Sequence, residues 1–241
     1  MRILLTTTLL AACSLSAFAQ AGPVDRWGGF KEGSWIKAKN SYEGDGRKAE
    51  EEVKQTLAEA KPDDCTVTHQ LSGGGEVTIH FRRDLLSTIA GPDCAVVEQK
   101  DLAAEEITIA SKALQCQVRE IRWKLSKDAE IVDSLKLWES DLVPGRVAKI
   151  EGTLHDFGAP KDGGWKFSGQ ITSLDAKLTI AGKEIPCALL ELSATGPGQW
   201  TNKAWMNDSI PGKVARSIGI REAQGKKESL EWRIVDFEAK K

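Results

Sequence analysis

His69 and His80 flank a run of glycines, Gly73-Gly74-Gly75, and are the residues of this chain whose type and placing could hold a metal ion. If the glycines close a hairpin on an even-length loop centred between Gly74 and Gly75, the two imidazoles stand directly opposite each other on one sheet face. Neutral imidazoles at that separation suit zinc or copper, with a carboxylate or His155 as a third ligand. A three-residue glycine loop instead shifts the register by one and sends the histidines to opposite faces. No third ligand is fixed by spacing, so no metal and no cofactor is expected.

A second constellation occurs twice. Trp138-x-x-Asp141-x-x-Pro144-Gly145 returns as Trp205-x-x-Asp208-x-x-Pro211-Gly212. Trp138 and Trp205 would serve as stacking platforms, with Asp141 and Asp208 taking the polar groups of a ligand. The alternative is a corner: each Trp packs at a sheet end, each Asp bonds turn amides, and Pro-Gly forces the chain round. The repeat is longer than the motif. Residues 137–152 match 204–219, and Ile107–Cys116 matches Leu178–Cys187, at offsets of 67 and 71 residues. The second copy is thus four residues shorter between Cys and Trp, a change that belongs in a hairpin loop. A corner must be made in every copy, so duplication over 107–152 and 178–219 favours architecture over binding.

Apart from Cys13, the cysteines are Cys65, Cys94, Cys116 and Cys187. An even number in an oxidising compartment suggests disulfides, paired by shared context as 65–94 and 116–187. Buried free thiols acting as small hydrophobes are the competing reading.

The chain has no Gly-x-Ser-x-Gly, no His-Glu-x-x-His and no phosphate-cradling Gly-Lys-Ser/Thr, and an enzyme is not expected. The glycine run joins two strands without opening a helix, so it fails as a dinucleotide site.

The elements that must position these residues are strands. Period-two alternation recurs at 35–39, 65–71, 76–81, 165–171 and 229–237, bounded by Gly, Pro or Asp clusters. Arg47 to Ala60 carries helix formers with Ala49, Val53, Leu57 and Ala60 at helical spacing. Its place between two strands with short turns favours a strand all the same. Lys100 to Glu106 has room for a helical turn. The expectation is a mainly β protein over residues 21–241, a curved antiparallel sheet resembling a half-barrel and built partly from two duplicated units.

Residues 1–20 read as a signal peptide: Arg2, a short apolar run, and Ala17-Phe18-Ala19 as a cleavage site near Ala19. The protein is therefore expected in the periplasm or secreted. Leu10-Ala11-Ala12-Cys13 resembles a lipobox, which makes lipid anchoring at Cys13 a minority alternative. No later run is apolar enough to cross a membrane as a helix. The 33 basic and 35 acidic side chains give −2, which disfavours nucleic acid as a partner.

Gly182-Lys183-x-Ile185-x-Cys187 followed by Glu191, then Trp205-x-x-Asp208-x-x-Pro211-Gly212-x-Val214, resembles a motif of exported proteins from environmental bacteria. These in turn resemble the half-open β-barrel superfamily of bacterial lipoprotein carriers. The likeness covers roughly residues 107–220. It implies a non-enzymatic extracytoplasmic carrier with an apolar or lipid-like ligand on the concave face. The alternative is a structural or protein-interaction module of the cell envelope.

Overall fold

The computed structural model describes residues 25–83, 93–155, 164–223 and 225–241. The expected signal peptide, with Ala19 and Cys13, lies outside them. All regular structure described is β: β1 (Trp35–Gly44), β2 (Arg47–Ala60), β3 (Asp64–Leu71), β4 (Glu76–Arg82), β5 (Ala95–Ile109), β6 (Lys112–Lys124), β7 (Asp133–Glu139), β8 (Val147–Leu154), β9 (Trp165–Ile180), β10 (Lys183–Thr195), β11 (Gln199–Met206), β12 (Val214–Ala223) and β13 (Lys226–Glu238). They form one antiparallel sheet in the order β4-β3-β2-β1-β13-β12-β11-β10-β9-β8-β7-β6-β5. The sheet is curved and unclosed, with β4 and β5 as its edges. Among the described residues no helix is long and apolar enough to cross a membrane.

Alternation sets the two faces. Along β11, Trp200, Asn202, Ala204 and Met206 are buried while Gln199, Thr201 and Lys203 are exposed. The cross-strand partners of the buried set carry the same face through the neighbours, joining Ala194, Leu192 and Leu190 of β10 to Ser217 of β12 and Trp232 of β13. This inner face is the core. Its one polar pair in this region, Asn202 and Ser217, is mutually satisfied at 3.0 Å. Gly152 of β8 is required there, since a Cβ would lie 2.4 Å from the Ser134 carbonyl oxygen and 2.8 Å from the Phe167 ring.

Arg47–Ala60 is a strand despite its composition. Val53, Gln55 and Leu57 point inward, and on the other face Glu50 and Glu52 pair with Lys39 (2.9 Å) and Lys37 (2.7 Å) of β1. Lys100 to Glu106 is strand rather than a helical turn, within β5, with a register shift against β6 between Leu102 and Glu105.

Two hairpins overhang their neighbours. β7 pairs β6 only from Gln117 to Trp123, which leaves residues 112–116 projecting beyond it. That tip lies over β9, where Gln170 Nε2 donates to the Thr108 carbonyl at 2.9 Å. The β9–β10 hairpin does the same: β11 pairs β10 only from Ala188 onward, and β9 touches β13. Both tips turn on consecutive positive-φ residues, Ala110 (47°) and Ser111 (67°) in one, Ala181 (48°) and Gly182 (75°) in the other, as two-residue hairpin turns require. The connections that follow differ in length, residues 125–132 after β6 and 196–198 after β10.

The four described cysteines are buried and form no disulfide, which corrects the pairings expected at 65–94 and 116–187. Cys116 lies on β6 and Cys187 on β10, which are not neighbouring strands of the sheet. Each instead turns its Sγ to a carbonyl two residues back, Leu114 or Ile185, at 3.7 Å. Cys65 and Cys94 are core residues, and the Cys94 carbonyl accepts from Arg82 Nη1 at 3.0 Å.

Candidate functional site

The corner linking β7 to β8 is closed by Ser140 N donating to the Arg146 carbonyl (2.8 Å), Val143 N to Ser140 (3.4 Å) and Arg146 N to Val143 (3.0 Å). The corner linking β11 to β12 repeats this bond for bond: Asn207 N to Lys213 (3.0 Å), Ile210 N to Asn207 (3.3 Å) and Lys213 N to Ile210 (2.8 Å). In both, the Pro is followed by two positive φ values, Gly145 (71°) and Arg146 (66°), Gly212 (79°) and Lys213 (56°). Val143 and Ile210 plug the two loops and are 2% and 0% exposed.

The tryptophans are not free platforms. Trp138 is 3% exposed, with Lys136 and Lys149 ammonium groups 4.5 and 4.2 Å from its ring centroid. Its Nε1 donates to Glu105 at 2.7 Å, so the overhanging β5–β6 hairpin seals it. That contact, with Lys136 alongside, holds the Glu105 carboxyl below the usual range. Trp205 is half-buried under Arg216, 5.3 Å away, which itself pairs with Glu231 at 2.8 Å.

The aspartates differ. Asp141 is 82% exposed and pairs with its own Arg146 at 2.7 Å. Asp208 reaches across to the other corner, where Gly145 N donates to its Oδ1 at 3.1 Å, and Lys213 lies 3.7 Å from the same oxygen. Of the four residues considered for a ligand, Asp208 alone ties one corner to the other, while Trp138, Asp141 and Trp205 are engaged by Glu105, Arg146 and Arg216. Beyond the second corner, Arg26 Nε donates to the Gly212 carbonyl at 3.3 Å, so the segment before β1 covers that side.

The structure does not bring the histidines together. Cys65 lies opposite Phe81, Thr66 opposite His80 and His69 opposite Val77. His69 and His80 are three positions apart in register and on opposite faces, which overturns the metal-pair geometry. His80 Nδ1 sits 3.0 Å from Thr66 Oγ1. His69 lies on the inner face, 3.4 Å from Gln55 Nε2 and stacked on Phe81. Burial, with Arg26 nearby, lowers its pKa to about 4. His155 is remote from both, its Nδ1 bonded to the buried Asp133 carboxylate at 2.7 Å. Among the described residues no group of three His, Cys, Asp or Glu could hold a metal ion.

Spacing alone gave no sign of the Asp133–His155 or Arg26–Gly212 contacts: the first depends on the register of the β7–β8 hairpin, the second on how the segment before β1 meets the β11–β12 corner. Two shallow outer depressions, of about 520 Å³ beside Lys37, Lys54 and Glu76 and about 450 Å³ beside Glu151, Lys166 and Ser193, are open and polar-rimmed.

No family model and no curated protein matches the chain. Among solved structures it is similar to the hypothetical lipoprotein YmcC of Escherichia coli, at 12% identity and a TM-score of 0.31 over 83% of each chain. It is also similar to an exported protein with a YmcC-like fold from Bacteroides fragilis, at 10% identity and 0.38, covering 87% of this chain and 97% of that one. A DUF1329 family protein from Desulfovibrio piger gives 8% identity and 0.26, covering 93% and 92%. At these values no role passes from them to this chain. The likeness to lipoprotein carriers rests on the motifs alone.

Proposed function

We propose that this chain is a non-enzymatic extracytoplasmic binding protein whose partner is another protein of the cell envelope, met by the outer surface and edges of the sheet. The observation that carries this reading is the filled inner face. Trp123, Ile36, Leu57, Leu135, Ile171, Leu190, Met206 and Ile234 are each less than 2% exposed. A lipid acyl chain would have to displace packed side chains, each worth about 1.5–3 kcal/mol of burial. The 107–152 and 178–219 segments are read as two copies of one building unit, with the Trp-x-x-Asp-x-x-Pro-Gly corners as its joints.

Native mass spectrometry of the protein purified from its own host tests the choice. A clean apo mass, with envelope proteins recovered by crosslinking, is the expected result. A stoichiometric retained lipid would overturn it and restore the apolar-ligand carrier.

A further inference from the structure

The two edges of the sheet are built differently. β5 carries register shifts against β6 between Val96 and Glu98 and between Leu102 and Glu105, and bulges of this kind blunt an edge against further pairing. β4 pairs β3 from Glu76 to Arg82 with no irregularity. Its sequence, Glu-Val-Thr-Ile-His-Phe-Arg, has no Pro or Gly and is rich in strand formers. Val77, on the inner face, is 51% exposed.

The ladder shows which main-chain groups β4 leaves over. Leu71 N donates to the Gly75 carbonyl and Arg83 N to the Asp63 carbonyl, and both pairs fall in the register that sets Val67 opposite Ile79. Hydrogen-bonded pairs alternate in an antiparallel ladder. Val77, Ile79 and Phe81 therefore aim their N–H and C=O groups at β3. Glu76, Thr78, His80 and Arg82 aim theirs away from the sheet, where no described strand meets them.

We propose that this edge pairs with the same edge of a second copy, β4 against β4, about a two-fold axis through Ile79. The strand is self-complementary in that register. Glu76 falls opposite Arg82 of the second copy and Arg82 opposite its Glu76. Thr78 meets His80, Val77 meets Phe81 and Ile79 meets Ile79. The outward main-chain groups of Thr78 and His80 meet those of the second copy's His80 and Thr78, the charges across the seam are opposite, and the exposed Val77 is covered by an aromatic ring on the same face. Arg82 also donates to the Cys94 carbonyl at 3.0 Å. Shifting the axis by one residue, to Thr78 or His80, shortens the overlap and loses the Glu–Arg match. The inference stands whether or not the inner face ever admits a lipid.

Sedimentation of the mature chain at high micromolar concentration tests it, with far-UV circular dichroism as the check on folding. The wild type is expected to dimerise. Thr78→Pro removes an outward N–H that β3 does not use, so the fold tolerates it and the dimer is lost. Glu76→Lys sets like charges opposite each other twice and raises the dimer dissociation constant by at least about tenfold. Ile79→Cys, oxidised with copper-phenanthroline, gives a disulfide-linked dimer, because a non-hydrogen-bonded pair on the axis brings the two Cβ atoms together. A wild type that stays monomeric, or a dimer that survives both Thr78→Pro and Glu76→Lys, overturns the proposal.

Discussion

Asp208 and Gly145, 63 residues apart, join the two Pro-Gly corners through one hydrogen bond from a backbone amide to a carboxylate oxygen. The equivalent aspartate, Asp141, makes no such reach and sits exposed beside Arg146. Identical motifs therefore carry unequal weight. Asp208→Ala strands the Gly145 amide and is expected to cost about 1–3 kcal/mol, whereas Asp141→Ala loses an exposed ion pair and stays within about 0.5 kcal/mol of wild type. Urea unfolding of the two variants side by side measures the difference. Equal effects would show that the corners do not lean on each other through this bond.

His69 links acidity to stability. Its folded pKa of about 4 lies below the value of about 6.5 for an exposed imidazole, and its Nε2 is buried with no hydrogen-bond partner. The unfolded chain takes up the proton first, so the neutral imidazole's contribution is complete above pH of about 6.5 and is lost as pH falls toward about 4. His69→Gln is expected to flatten that part of the stability profile while leaving the neutral side nearly unchanged. Urea midpoints measured from about pH 7 down to about pH 4 decide it; an unaltered acid slope would assign the loss to other groups.

The thiols are expected to be unreactive in the folded protein. Burial raises the pKa of Cys65 and Cys116, and pushes Cys187 up to about 11. Iodoacetamide should leave Cys65, Cys94, Cys116 and Cys187 unmodified in native protein and alkylate all of them in denaturant without a reductant. Peptide mapping reads this directly. A cysteine that needs reductant before it labels would indicate a disulfide.

Much of the fold was legible in the residues, and the reasons are specific. Period-two alternation identified the strands because half of each strand faces a core. In β2 the spacing of Ala49, Val53 and Leu57 satisfies a helix, but an interval of four is also a multiple of two, so the same residues fit a strand. Neighbouring turns decided between them. The histidine geometry was not legible, because it depends on the parity of one glycine loop. Gln70 lies opposite Glu76, and that single register choice separates the imidazoles. The spacing of the Trp-x-x-Asp-x-x-Pro-Gly motif fits a ligand platform and a corner alike, and which aspartate crosses to the other corner follows from strand order, which local spacing does not carry. The disulfide expectation failed for the same reason: similar surroundings in sequence placed Cys116 and Cys187 on similar strands of the sheet, and similar strands are not adjacent ones.

The pairing of β1 with β13 has a kinetic consequence. Every other neighbouring pair in the sheet is consecutive along the chain and forms by closing a short loop. This one joins the first strand to the last, with Lys31 N bonded to the Lys240 carbonyl beside it. The β1–β4 meander must therefore wait, one side unsatisfied, until the far end of the polypeptide arrives. Assembly runs as a row of local zips followed by a single long-distance clasp, and the clasp sets the pace.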